Sequence, residues 1–257
     1  MDAREHGAAR VVVLSTVFRY DDDRGLPLQP DSPTLTAAET APAAAAEQAA
    51  RLFAELGGDS VVLRLGWICS RGEAITRQVV SAARHGWRLI DGDPAAWVAM
   101  ITESDAARVA LPALTVPPGT YNVTDGCPVT QGMLNTRLET ALGRDLHSLD
   151  DPHWGYNGTL FGPSRKIADV AFGHLTGWRP HHVPAVESPA GLLSIHPDRL
   201  ELPAACWAHF PVPAVMAAVR GLNGGMSIRC CRMTLGSVAI ARDCQAQARS
   251  LEGTGRA

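Results

Sequence analysis

Two arginines stand out as groups that could hold an anionic ligand. Arg64 lies inside the strand-like run 60–65, and Arg165 precedes Lys166, which is the only lysine in the chain. A guanidinium offers a planar set of donors that matches carboxylate and phosphate groups. The sequence therefore predicts that Arg64 and Arg165 bind substrate, with pairing of a buried arginine to a protein carboxylate as the alternative. Any mechanism that needs a lysine has Lys166 as its one candidate.

The thiols and imidazoles do not have the spacing of a metal site. The chain has 6 cysteines, but it contains no C-x-x-C pair, which is the spacing typical of structural zinc. His181 and His182 are adjacent but have no third candidate ligand nearby in the sequence. We therefore expect no metal, and we expect the cysteines to be free thiols, as in a reducing compartment.

The composition is that of an ordinary globular protein. Of the 257 residues 46% are hydrophobic and 19% are charged, and the formal net charge is −3. No long basic run is present, which argues against a nucleic-acid partner. The longest apolar runs have the length of a strand, below the ~20 residues that span a bilayer. Charged residues follow Val11–Phe18 where a signal peptide would have its cleavage site, so we expect a cytoplasmic protein without a membrane partner.

Hydrophobic periodicity predicts an α/β fold that begins with a β-α-β unit. Residues 11–17 form a continuous apolar run typical of a buried parallel strand. An alanine-rich helical pattern then extends to Leu56, and residues 60–65 predict the second strand. Further helices are predicted over residues 73–85, 103–114, 130–142 and 164–175, and further strands over residues 87–90, 97–101 and 120–123.

Six segments, taken in order, resemble the extended short-chain dehydrogenases, which are the NAD-dependent epimerase/dehydratase family. The resemblance runs from about residue 3 to residue 191. Each motif is short, but their order and spacing match the family. The segments are residues 8–16, the alanine-rich helix with Glu47, residues 63–68, residues 100–107, residues 120–126, and residues 164–180 with the sequence Gly-Trp-Arg-Pro at their end.

The resemblance implies a partial Rossmann-like parallel sheet, corresponding to its later half, and a small substrate lobe. Residues 1–95 would be the C-terminal half of an NAD(P)-binding domain, and residues 96–191 the substrate-binding lobe with the last Rossmann elements. Residues 192–257 form an unmatched tail that need not be ordered. The implied cofactor is NAD or NADP, and the implied substrate is a nucleotide-sugar or a related hydroxyl or ketone compound.

The resemblance also assigns roles to individual residues at the strand ends. Ser15, Leu65, Gly66 and Trp67 would border the cofactor, with core packing as the alternative for Gly66 and Trp67. Thr16 would be the hydroxyl that hydrogen-bonds the substrate. The alternative for Thr16 is a strand-end threonine bonded to its own backbone.

The tyrosine and lysine that transfer protons in this family are absent from the matching positions. Counting back from Glu47, the lysine position is Ala43 and the tyrosine position is Glu39. In the family, a neighbouring lysine lowers the pKa of the tyrosine from its usual value of ~10. Glu39 could act as a substitute base. The alternative is a solvated glutamate near a helix start, where the helix dipole favours it.

The glycine-rich turn that would bind the cofactor phosphates is missing as well. Residues 15–20 follow the first predicted strand without a single glycine. We therefore expect a truncated or degenerate member of the family. The alternatives are a non-catalytic binding or interaction protein, or one half of a split enzyme. In the latter, a separate N-terminal half would pair with the exposed edge of Val11–Val17. A homodimer is also compatible with the sequence.

Overall fold

The computed structural model describes residues 7–35, 37–70, 72–148, 160–181, 215–222 and 225–232. Two 3₁₀ helices cover Val17–Arg19 and Ala38–Thr40. The α-helices are α1 (Ala41–Glu55), α2 (Ala74–Arg84), α3 (Glu103–Arg108), α4 (Ala110–Ala113), α5 (Gln131–Leu142) and α6 (Val170–Thr176). The strands are β1 (Arg10–Thr16), β2 (Asp59–Leu65), β3 (Trp67–Cys69), β4 (Trp87–Arg88), β5 (Trp97–Val98), β6 (Met100–Thr102), β7 (Gly119–Val123), β8 (Val129–Thr130), β9 (His147–Ser148), β10 (Val215–Leu222) and β11 (Gly225–Arg232).

The main sheet has five strands in the order β11-β10-β1-β2-β7. β1, β2 and β7 are parallel, and β1 pairs with β2 from Arg10 opposite Asp59 to Thr16 opposite Leu65. Because the β1–β2 connection contains α1, these three elements form the predicted β-α-β unit. The α/β class and the partial parallel sheet are thereby confirmed.

The parallel strands are buried on both faces, which explains their continuous apolar sequences. On one face, Val13 and Val62 pack against Ala46 and Ala50 of α1. The small alanine side chains let α1 lie close to the sheet, and the helix ends before Gly57, which has a φ of +83°. The opposite face packs against α3, α4 and α6 through one apolar cluster, whose buried members are Val12, Val61, Leu63, Leu65, Ile101, Ala106, Val109, Ala113, Val116, Tyr121, Val123 and Phe172.

A second apolar cluster lies beyond the carboxyl ends of these strands. It joins α2 and α5 to the short strand pairs β3–β6 and β5–β8. Leu89, Ile90 and Leu146, which lie next to the third short pair, β4–β9, belong to it as well. Phe161 lies in this cluster and contacts Phe18 edge-on, with ring centroids 5.2 Å apart. The predicted division of the chain at residues 95 and 191 stays a prediction. β7 lies beyond residue 95 but belongs to the same sheet as β1 and β2.

Several predicted elements are shorter than expected. The strand predicted over residues 97–101 is two strands, because β5 pairs with β8 and β6 pairs with β3. The helix predicted over residues 103–114 is divided into α3 and α4, and Pro112 within α4 has no N–H with which to continue a helical ladder. No helix in the described ranges is long and apolar enough to cross a membrane.

The helix predicted from residue 164 begins only at Val170. The preceding residues are held by the loop after β1. The Asp23 carboxylate accepts hydrogen bonds from the Ser164 hydroxyl and the Lys166 N–H, each at 2.8 Å. Leu28 then bridges to Ile167. These long-range bonds use backbone groups that a helix would need, so the helical pattern of the sequence is overridden here.

The tail adds an antiparallel hairpin to the main sheet. β10 pairs with β1 from Arg10 opposite Val219 to Leu14 opposite Val215, and β10 pairs with β11 along its whole length. The prediction that β1 has an exposed edge is therefore wrong. No element was predicted in this part of the sequence, although Asn223-Gly224 is the dipeptide most typical of two-residue hairpin connections.

Gly66 is a point of close backbone approach that the fold requires. A Cβ at this position would lie 2.8 Å from the carbonyl carbon of Met100 and 2.9 Å from its oxygen. Gly66→Ala should lower the free energy of unfolding by about 1–3 kcal/mol, the usual cost of overpacking. The control is Gly72→Ala, because a Cβ there meets only Ser70 Oγ at 3.8 Å. Urea unfolding checks both, and equal stabilities of the two variants would contradict the fold at β2–β3.

Candidate functional site

The carboxyl ends of β1, β2 and β7 form the edge where open α/β sheets usually bind ligands. Most of the predicted site residues lie at this edge. The polar side chains there are linked into one buried network that runs from α1 across the sheet to β7. Its members are Ser15, Arg19, Tyr20, Glu47, Arg64 and Asn122.

Glu47 of α1 is the centre of this network. Its carboxylate receives two hydrogen bonds from Arg64, from Nε to Oε1 at 3.0 Å and from Nη2 to Oε2 at 2.9 Å. The Ser15 hydroxyl donates to Oε1 at 2.5 Å, and Arg19 donates to Oε2. Arg64 thus makes the carboxylate pairing that the sequence analysis held as the alternative. Substrate binding by Arg64 and cofactor contact by Ser15 stay predictions, and both side chains already have protein partners.

Tyr20 and Asn122 extend the network to β7. The Tyr20 hydroxyl donates to Asn122 Oδ1 at 2.6 Å, and the Arg64 guanidinium carbon lies 4.7 Å from the Tyr20 ring centroid. The Asn122 amide donates to the carbonyls of Leu28 and Ala168 at 3.1 and 3.0 Å. Sequence reasoning missed this pair. Its signal was an Asn between Tyr121 and Val123 near the end of β7, and a Tyr shortly after the apolar strand β1.

The electrostatics of the network favour fixed protonation states. Burial alone would raise the pKa of Glu47, but the hydrogen bonds from Arg64 and Ser15 and the charges of Arg64 and Arg19 outweigh it and hold the pKa below its usual value. Burial raises the pKa of Tyr20, and its side chain is fully buried. A tyrosine that transfers protons needs the opposite shift and access to substrate. Tyr20 therefore has a structural role.

Thr16 and Glu39, the two predicted catalytic residues, lie in different surroundings. Thr16 is 5% exposed, and its Oγ1 accepts a hydrogen bond from the Phe18 N–H at 3.2 Å. It thus caps the 3₁₀ helix that follows β1, which is the backbone-bonded alternative for this residue. Glu39 is half-buried in the 3₁₀ helix before α1, and it forms no hydrogen bond or ion pair with other described residues. Both catalytic roles stay predictions.

The residues predicted to border the cofactor are packed into the protein. Leu65 is 2% exposed and Trp67 is 3% exposed. The Trp67 indole N–H donates to Glu73 Oε2 at 3.1 Å, and its ring lies edge-on to Phe161 with centroids 5.4 Å apart. Gly66 lies against the backbone of Met100. These positions correspond to the core-packing alternative, and cofactor contact by them stays a prediction.

Arg165 is buried among backbone carbonyls beside a small cavity. Its Nε donates to the Tyr20 carbonyl at 2.8 Å, and its Nη1 donates to the Leu160 carbonyl at 2.6 Å. Burial lowers the pKa of Arg165 to about 10. The adjoining cavity has a volume of about 10 Å³, with Phe18 and Trp97 among its lining residues. Substrate binding by Arg165 stays a prediction.

Two small cavities lie at the described strand ends. Besides the cavity at Arg165, a second one of about 30 Å³ lies beside Thr124 and Asp169. Sites for cofactors and similar ligands usually enclose roughly 300–1,000 Å³. Within the same residues, no cluster of three histidine, cysteine or acidic side chains could hold a metal ion.

Comparison with known proteins finds likeness in structure only. No protein-family model matches the sequence, and no curated protein matches it. Many solved structures are similar to this chain, and three of them match about three quarters of it. They are the Bordetella bronchiseptica enzyme WbmG in complex with NAD and UDP (19% identity, TM-score 0.56, covering 75% of this chain and 61% of that one), RMD from Pseudomonas aeruginosa complexed with NADPH (18%, 0.59, 77% and 69%), and Thermus thermophilus UDP-glucose 4-epimerase in complex with NAD (18%, 0.59, 75% and 66%).

These likenesses show the fold. The chain has the architecture of NAD- and NADPH-binding enzymes, among them a nucleotide-sugar epimerase, which confirms the fold implied by the resemblance in sequence. The chain spans less than two thirds of the length of WbmG. The match therefore concerns only part of that enzyme.

The network predicts how the free energy of unfolding changes as the pH falls. Glu47→Gln should lower the free energy of unfolding at neutral pH by about 3 kcal/mol, because two buried guanidinium groups lose their counter-charge. Since the pKa of Glu47 is lower in the folded chain, its contribution is complete above the unfolded value of ~4.3 and disappears as the pH falls through the folded value. Urea unfolding from neutral to acid pH should thus show a steeper loss for the wild type than for Glu47→Gln.

Glu39→Gln is the matched control, because Glu39 has no polar partner among the described residues. Its stability and pH slope should equal those of the wild type. If Glu47→Gln behaved like this control, the network would not hold the strand ends together.

Proposed function

We propose that this chain is a degenerate relative of the NAD(P)-linked nucleotide-sugar epimerases and dehydratases, and that it binds a ligand of that class without transferring hydride itself. Its fold is that of enzymes crystallised with NAD, NADPH and UDP. The likeness in fold supports the ancestry and the ligand class. The side chains at the strand ends support the loss of chemistry.

The observation that carries the proposal is the packing of Ala43. This residue is at the position where the family has its lysine, and it is fully buried at the start of α1. A lysine there would need a solvated or charge-paired ammonium, and burial without either strongly disfavours it. Glu39 replaces the tyrosine, and a carboxylate cannot donate a proton as a phenol does near neutral pH. The proton-transfer pair is thus replaced at both positions.

NAD or NADP is the cofactor that the fold implies, and it would supply a nicotinamide that accepts or donates hydride. The described residues do not fit this group well. The aromatic rings of Phe18, Trp67 and Phe161 pack against one another at the strand ends, and the two cavities described there have volumes of about 10 and 30 Å³. We therefore assign no hydride-transfer step to this chain.

Two side chains are assigned to the ligand. The guanidinium of Arg165 borders the cavity next to Phe18, and it is the buried cation that could face a nucleotide phosphate if the cavity widens on binding. The Thr16 hydroxyl oxygen accepts from the Phe18 N–H, and its proton has no acceptor among the described residues, so the hydroxyl can donate to a ligand oxygen. A cytoplasmic location is part of the proposal and agrees with the free thiol of Cys69.

An active enzyme that uses Glu39 as its base is the second candidate. The observation in its favour is that Glu39 is half-buried and forms no hydrogen bond or ion pair with other described residues. A carboxylate that acts as a base must have no such partner when the substrate binds. A split enzyme is less well supported, because β10 already occupies the edge of β1 that a partner strand would need.

Thermal unfolding of the full chain with single nucleotides distinguishes these functions. UDP or a UDP-sugar at 100 times its dissociation constant should add about 2.7 kcal/mol to the stability and raise the midpoint by several degrees. NAD⁺ and NADP⁺ should give smaller shifts, and no reduced nicotinamide should form with any UDP-sugar. Turnover that Glu39→Gln abolishes would establish the second candidate. No shift with any nucleotide would contradict ligand binding.

The packing at Ala43 gives a separate prediction. Ala43→Lys should lower the free energy of unfolding by about 3 kcal/mol or more, because the ammonium is buried without a partner. Ala45→Lys, on the exposed face of the same helix, should change it by less than about 0.5 kcal/mol. Chemical unfolding measures both. Two results together would contradict the proposal. They are an Ala43→Lys variant as stable as the control and NAD⁺-dependent activity in the double variant with Glu39→Tyr. The active site would then lack only these two side chains.

A further inference from the structure

We propose that the edge of β1 is a self-association site that the chain's own β10–β11 hairpin guards. On this proposal, unseating β10 lets the β1 strands of two copies pair with each other in an antiparallel arrangement. The inference concerns the sheet edge on the side of β1 away from β2. It is independent of the proposed ligand and of the strand-end network.

The edge of β1 lacks the features that usually keep edge strands apart. The strand contains no proline, and Val11, Val12 and Val13 at its centre are apolar and buried. Its only charged residue is Arg10, whose guanidinium donates to the Asp59 carboxylate at 3.0 Å and to the Val116 carbonyl at 2.6 Å. That charge is directed away from the edge that β10 covers. A strand of this composition readily accepts another strand unless something occupies its edge.

The β10–β11 hairpin can separate from β1 without losing its own internal pairing. The ladder between β10 and β11 extends from Val215 opposite Arg232 to Leu222 opposite Gly225, whereas β10 pairs with β1 only between Arg10 and Leu14. The pairing within the hairpin is therefore longer than the pairing that seats it. Loss of the β1 contact leaves the internal ladder of the hairpin complete. The hairpin is also tethered to the chain, which gives it a high effective concentration at the edge relative to a second molecule.

A second copy is the partner that the sequence of β1 fits. An antiparallel pairing about a two-fold axis at Val13 places Arg10 opposite Thr16, and it places Val11 opposite Ser15. No like charges would then face each other across the pair, and Val12 would pair with Leu14 and Val13 with the Val13 of the second copy. Such an interface is isologous, as most homodimer interfaces are.

The first experiment unseats β10 within the full chain. Ala217 lies in the middle of β10 and pairs with both Val12 and Cys230. Ala217→Pro removes a backbone N–H from the middle of the sheet, where proline is not tolerated. Ala217→Val is the matched control, because it keeps the N–H and favours strands. Light scattering in reducing buffer should give the mass of one chain for the wild type and Ala217→Val, and the mass of two chains for Ala217→Pro.

Two further measurements locate the association. Hydrogen exchange should show the β1 amides protected in the wild type and again in the two-chain form of Ala217→Pro. A synthetic peptide of residues 215–232 should return Ala217→Pro to the mass of one chain, because it replaces the cover.

Several results would overturn the proposal. If Ala217→Pro kept the mass of one chain, the freed edge would not associate. If the β1 amides exchanged equally fast in the wild type and in Ala217→Pro diluted until it has the mass of one chain, the hairpin would not cover the edge. Two-chain species that the peptide does not dissociate, or that leave the β1 amides unprotected, would place the association elsewhere. Two-chain mass for Ala217→Val as well would also contradict the guarding role.

Discussion

The carboxylate of Glu47 is the interaction on which the strand ends depend. Its bonds to Ser15 and Arg64 connect α1 with the two central parallel strands, and its bond to Arg19 fixes the segment that leaves β1. Removing two guanidinium groups and a carboxylate from water is costly, and the cost is offset only when each finds partners in good geometry. Here Arg64 also donates to the Pro30 carbonyl at 3.0 Å, so the loop after β1 is held by the same group. The position of that loop thus follows from one buried charge.

This use of polar side chains bears on function. In an α/β sheet, the strand ends that bind ligands are also the places where buried polar groups must be satisfied. In this chain the hydroxyls, carboxylate and guanidinium groups at those ends are bonded to each other, and the aromatic side chains of Phe18, Trp67 and Phe161 close the space between them. Ligand binding would have to compete with these internal contacts. This competition favours a weakly binding or ligand-opened site over a preformed catalytic one.

The sequence predicted the elements whose pattern is local and regular. The β1–α1–β2 unit follows from the continuous strands and the spacing of Ala46 and Ala50, and the structure has it with ends shifted by about one residue. The helix expected from residue 164 failed because Asp23, far away in the sequence, binds the backbone at Lys166. Hydrophobic periodicity along the sequence cannot reveal a contact between residues so far apart. The hairpin in the tail was different, because Asn223-Gly224 was a readable signal that the weak flanking pattern concealed.

The candidate site was predictable in its residue positions and less so in its partners. The resemblance placed Thr16 and Arg64 towards the strand ends and Glu47 on the helix between the strands, where the structure has them. It could not show that Arg64 pairs with Glu47, because two residues 17 apart can meet in several ways across a helix and a strand. Only the sheet register, with Ser15 opposite Arg64, brings both under α1. A one-residue slip in that register would turn the guanidinium to the opposite face of the sheet. The arrangement of the site is therefore decided by β1–β2 pairing, and the apolar residues that fix this pairing determine the chemistry at its end.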